Sequence, residues 1–134
     1  MPEGHDYPAA PTGLFEQLLA DPDVSILVAE EDGELLGYTA CGSNRDPDAL
    51  PGVGEVRSMF VASTSWRGGV GSALLAAALD DLRRRGYADV TLWSFNANDR
   101  ANAFYERAGF TRDGAEKSNE RWAHIPEVRY RRSL

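Results

Sequence analysis

Cysteine, histidine and long apolar runs are scarce in this chain, and each shortage removes a class of function. One cysteine, Cys41, cannot close an internal disulfide, and His5 and His124 make no cluster of metal-ligand type, so no metal is expected. Cys41 falls in an apolar strand pattern and reads as a core residue rather than a nucleophile. No apolar run approaches the ~18 residues that span a bilayer. Met1 to Pro11 lacks the basic-then-apolar order of a signal peptide. A cytoplasmic protein with no membrane partner is therefore expected. Bases are nearly missing from the first 50 positions, which hold eleven acids and only Arg45, while residues 51–134 hold ten acids and thirteen bases. With a net charge of −7 the chain lacks the basic footprint of nucleic-acid binding, and no nucleic-acid partner is expected. The later half can still hold a local polyanion, and the acidic half can attract a cation.

What is present is globular: 43% hydrophobic and 26% charged residues are enough to bury a core. The length suits one domain, residues 1–134. Pro2, Gly4, Pro8 and Pro11 make 1–11 irregular, and Thr12 caps a helix carrying Leu14, Phe15, Leu18 and Leu19 that Asp21-Pro22 ends. Strand runs Ser25 to Glu30 and Leu35 to Cys41 flank Asp32-Gly33, the pair a type I′ turn favours. A Pro/Gly-rich loop over 43–54 leads to a strand at Glu55 to Val61. A helix follows from Gly71 to Arg85, with Leu74, Leu75, Ala78, Leu79 and Leu82 on one stripe, Asp80/Arg84 and Asp81/Arg85 pairs, and Gly86 as stop. Then come a strand at Asp89 to Phe95 and a helix from Asp99 to Ala108 that sets Ala101, Phe104 and Ala108 on one face and stops at Gly109. A strand near Phe110 to Arg112, a loop through Trp122 and a strand near Glu127 to Arg132 complete the order. Strands alternating with helices predict an α/β sheet with crossover connections.

The chemistry concentrates in two stretches. Glu55 to Leu75, EVRSMFVASTSWRGGVGSALL, runs strand, Gly-rich turn, helix. The first N–H groups of a helix lack partners and the dipole is positive there, so such a turn can wrap a pyrophosphate. Neither GxxxxGK[ST] nor a dinucleotide fingerprint is present. The second stretch is Asn98 to Phe110, NDRANAFYERAGF.

A strand ending MFV, the turn RGGVGSALL, and then N..A..FYER.GF resemble the paired cofactor-binding motifs of the GNAT acetyltransferases, in the family's order and separation. The resemblance covers roughly residues 25–134. It implies a GNAT-like α/β fold: a mixed, mostly antiparallel central sheet flanked by helices. It implies acetyl-CoA as donor, with Met59, Phe60 and Val61 pairing to the acetyl and pantetheine groups. The turn Arg67, Gly68, Gly69, Val70, Gly71 and Ser72 would hold the pyrophosphate, and Asn98 the pantetheine arm. Tyr105 corresponds to the tyrosine near the thioester sulfur, able to protonate the departing thiolate. Glu55 stands where family members often carry an acidic base. Trp93 and Trp122 are candidates for the acceptor pocket, Trp93 with core packing as its other reading.

Two departures stand out. Strict spacing back from Gly69 puts Trp66 where the family generally has Arg or Gln, with Arg67 one place late. The usual first strand and helix also cannot fit within residues 1–11, and a homodimer in which a partner chain supplies that strand is one way to complete the sheet. The expected activity is N-acetylation of a primary amine on a small, cationic molecule by direct attack on the thioester, since no Ser-His-Asp or Cys-His pairing is apparent. The alternative is a non-catalytic acyl-CoA-binding or sensing module.

Overall fold

In a computed structural model, residues 22–63, 68–118 and 124–134 are described. The irregular start, the helix expected after Thr12, Trp66, Arg67 and Trp122 lie outside them.

The elements run β1 (Val24–Glu31), β2 (Glu34–Ser43), β3 (Val53–Val61), α1 (Val70–Arg84), β4 (Asp89–Phe95), α2 (Asp99–Arg107), β5 (Thr111–Lys117) and β6 (Glu127–Ser133). They form one six-stranded sheet in the order β1-β2-β3-β4-β6-β5. Only β3 and β4 are parallel, with α1 as their crossover; the other four pairings are antiparallel. This is the mixed, mostly antiparallel α/β sheet expected from the sequence.

Local chemistry explains most boundaries. Asp32 and Gly33 have φ of 53° and 81°, the two positive values a type I′ turn demands. In α1 the stripe Leu74, Leu75, Ala78, Leu79 and Leu82 is buried, and the side chains of Arg84 and Arg85 pair with Asp80 and Asp81. Two strands are longer than their local sequence suggests. β3 starts at Val53, inside the expected loop, because Val53 and Gly54 gain partners on β4. β5 extends to Lys117 past a break in register between Arg112 and Glu116, paired with β6. Such cross-strand partners are invisible to propensity.

The core lies between the sheet and the helices. Leu75, Ala78, Leu79 and Leu82 of α1 meet Cys41, Val56, Val90, Leu92, Phe110, Val128 and Tyr130, with Phe104, Tyr105 and Ala108 of the α2 region packed against them. Cys41 is fully buried, and burial, reinforced by Asp81, pushes its thiol up to about 12, which suits a core residue and not a thiolate. Among the described residues no helix is long and apolar enough to cross a membrane.

Candidate active site

The site is created by strands that separate. β3 pairs with β4 only through Val53↔Asp89, Gly54↔Val90 and Glu55↔Thr91, although the strands run on to Val61 and Phe95. Beyond that point Met59 and Phe60 keep their β2 partners, Thr39 and Tyr38, and face no β4 residue in the ladder. A bulge marks the parting. Cys41 pairs with Val56 and Ala40 with Ser58, so Arg57 is an extra residue on β3. The Arg57 guanidinium donates to the carbonyl and hydroxyl of Ser43 at 2.8 to 3.1 Å. An extended ligand can enter such a gap as a strand would.

The Gly-rich turn opens beside this gap. Gly69 caps α1 with φ of 84°, a left-handed value that costs most side chains about 1–2 kcal/mol. Among the described residues no side chain caps the helix, and its first turn contains no acid. The first intrahelical bond from this cap runs from the Ala73 N–H to the Gly69 carbonyl, which leaves the amides of Val70, Gly71 and Ser72 directed outward at the positive end of the dipole. That suits an anion such as a pyrophosphate. A Cβ at Gly71 would lie 3.5 Å from both Phe104 and Val61, an ordinary packing distance, so the start of α1 sits against β3 and α2 here. Gly68 is exposed. From Ser72 a groove of about 300 Å³ runs between the helices, past Leu75, Ala76, Phe104, Arg107 and Arg132.

Helix α2 supplies the next wall. Asn98 is its N-cap, its side-chain oxygen accepting from the Ala101 N–H at 3.2 Å. The capping bond uses the side-chain oxygen and not the amide N–H groups. The Tyr105 ring is wedged against Phe104, Phe110 and Tyr130 at centroid distances of 5.3 to 6.1 Å. Burial raises the phenol above its ordinary value of 10.0, so it holds its proton throughout the neutral range. Among the described residues its hydroxyl has no hydrogen-bond partner. The residue that docks α2 is Asn102, 5% exposed. It accepts from the Ser94 hydroxyl at 2.7 Å and donates to the carbonyls of Phe95 and Asn96. The helical face expected from Ala101, Phe104 and Ala108 therefore has a polar anchor at its centre. An asparagine inside a helix, where it is a poor helix former, was the available signal.

On the opposite face of the sheet the chemistry is ionic. Glu55 is 2% exposed, and three bonds from Arg45 hold it: backbone N–H and Nε to Oε1 at 3.0 and 3.1 Å, and Nη2 to Oε2 at 3.0 Å. Trp93 is half-buried and donates Nε1–H to Asp46 at 2.9 Å. The Lys117 ammonium lies 4.1 Å from its ring centroid and the Arg129 guanidinium 5.6 Å. Arg129 joins Asp46, Asp48 and Asp113 at 2.7 to 3.1 Å, and the Asp48 bond is the first cause that raises its guanidinium further. The ionic face thus draws its acids largely from the first half of the chain and its central base from the end.

The structure brings Gly71 of α1 beside Val61 of β3 and Phe104 of α2, and packs Met59 and Tyr105 against the core; Glu55 and Trp93 lie on the other face of the sheet. Sequence reasoning missed Arg45, Asp46, Asn102 and Arg129, each of which acts through partners on another element of the fold.

Comparison with known proteins shows the family and the fold. The Acetyltransferase (GNAT) family profile matches residues 1–110. The chain is 35% identical over 112 residues to an IAA acetyltransferase of Azospirillum brasilense, covering 83% of this chain and 71% of that one. It is 39% identical over 89 residues to a mycothiol acetyltransferase of Sanguibacter keddieii, covering 66% of this chain but 28% of the relative's length. The fold matches an N-acetyltransferase from Thermoplasma acidophilum solved in complex with coenzyme A, with a TM-score of 0.70 at 16% identity, covering 90% of this chain and 66% of that one. Parted parallel strands, an uncapped helix after a glycine turn, and a family match over most of its length lead to one conclusion: the chain belongs to the GNAT family of acetyltransferases.

Proposed function

We propose that the protein is an acetyl-CoA-dependent N-acetyltransferase acting on a primary amine of a small, cationic molecule. The observation that carries this reading is the gap between β3 and β4, together with a glycine-led start of α1 whose Gly71 lies beside Val61 at the end of β3. The outward amides of Val70, Gly71 and Ser72 hold the donor's pyrophosphate, with Gly68, Gly69 and Arg67 completing the turn. Met59, Phe60 and Val61 align the pantetheine arm and acetyl group along the open edge of β3, and Asn98 donates to the arm.

The deprotonated amine attacks the thioester carbonyl; a C–N bond forms, the C–S bond breaks, and Tyr105 gives its proton to the leaving thiolate. Burial supports that role, because it keeps the phenol protonated. Glu55 serves as base through water. Arg45 already occupies two acceptor positions on Oε1 and one on Oε2, which leaves Oε2 room for a further donor. Trp93 and Trp122 border the acceptor. The reaction is assigned to the cytoplasm as part of the same reading.

The test is thiol release from acetyl-CoA with spermidine, tyramine and kanamycin, comparing wild type with Tyr105→Phe and Glu55→Gln, alongside calorimetric CoA binding. Turnover lowered by Tyr105→Phe while CoA affinity survives supports the enzyme. CoA binding with no thiol release above background on any amine would sink it in favour of an acyl-CoA-binding module.

A further inference from the structure

We propose that Glu127 is an acceptor-binding residue that receives the cationic nitrogen of the substrate. This rests on the reading of the protein as an amine acetyltransferase.

Glu127 opens β6 and pairs across the sheet with Phe95, the last residue of β4. That is the end at which β4 has parted from β3. Alternation fixes its direction: Val128 and Tyr130 enter the apolar core, so Glu127 and Arg129 face the other way, and Arg129 does lie over Trp93. Glu127 is 8% exposed, and its Oε2 is buried with no hydrogen-bond partner among the described residues.

The neighbouring carboxylates on this face differ. Glu55 is held by Arg45, Asp46 by Trp93 and Arg129, Asp48 and Asp113 by Arg129, and Asp89 by Arg131. Lys117, the cross-strand partner of Glu127, places its ammonium over the Trp93 ring instead. A buried carboxylate oxygen without a donor is costly, and folded proteins rarely keep one without a use. An alkylammonium supplies what is missing: three N–H donors and a positive charge. The Trp93 ring beside it already faces one ammonium, which shows that this surface accepts a cation.

The probe is n-butylammonium chloride, titrated into the CoA-loaded protein with n-butanol as uncharged control. The readout is the Trp93 indole N–H signal, assigned with Trp93→Phe. A saturable shift with n-butylammonium alone is expected, weakened at least tenfold in Glu127→Gln and partly restored in Glu127→Asp, with CoA affinity within twofold throughout. No saturable shift in wild type, equal affinity in Glu127→Gln, or equal binding of n-butanol would overturn the proposal. The wild-type comparison of charged with uncharged probe decides even if Glu127→Gln does not fold. Failure of wild type to bind CoA would instead remove the acetyltransferase reading, whatever n-butylammonium does.

Discussion

The two faces of the sheet meet opposite physical problems. Toward the helices, side chains such as Val56, Leu82, Leu92 and Tyr130 exclude water by close packing. Away from them, between β3 and β6, Glu55, Asp46, Trp93 and Arg129 form directional pairs. The packed face needs only the right pattern of apolar residues. The ionic face needs specific partners, drawn from positions as far apart as Asp46 and Arg129. The first supplies stability and holds Tyr105; the second supplies polar groups beside the opening.

The contrast can be tested first where it should be largest. Leu82→Ala removes a fully buried side chain from the packed face and should cost about 2–5 kcal/mol, read as a lower urea midpoint at unchanged slope. A loss below 1 kcal/mol would mean that this face is not close-packed at Leu82. Tyr105→Phe keeps the packed ring and deletes the proton, so it should lower kcat about 10²-fold or more while thermal stability and CoA affinity hold. The pH profile sharpens the point. The acid proposed, Tyr105, works when protonated, and burial raises its pKa, so activity should persist above 10.0 and fall only as pH passes the raised value. A basic limb that survives in Tyr105→Phe would assign it to another group.

A smaller effect is expected on the ionic face. Arg129→Met keeps most of the side-chain volume but strips Asp46 and Asp113 of their cation, and should cost about 1–3 kcal/mol in urea unfolding. Equal stability would mean that the cluster contributes little beyond its surface charge. The smallest belongs to solvent. Asp80→Ala breaks an exposed helical pair with Arg84 and should change stability by less than about 0.5 kcal/mol.

Much of the packed face was legible in the sequence, because period and burial coincide there. The α1 stripe, the Asp32-Gly33 turn and the Gly109 stop each follow from residues within a few positions of one another. The glycine turn and the FYER segment likewise carried the family resemblance that the family profile bears out. The added length of β3 and β5 was not legible, since Val53 and Lys117 are strand residues only by virtue of partners on β4 and β6. Nor was the environment of Glu55, which a strand start presents as a solvated acid and which Arg45 in fact binds and buries.

The sequence by itself determined the order of elements, the hairpin, the core stripe of α1 and the residues that resemble a donor-binding motif, because each depends on local conformation and periodicity. Tertiary structure alone decided where β3 leaves β4, which acids meet which bases, and that Asn102 anchors α2 while Glu127 keeps a buried oxygen without a donor among the described residues. Hydrogen bonds and ion pairs act over a few ångströms, and only the folded chain brings together residues dozens of positions apart.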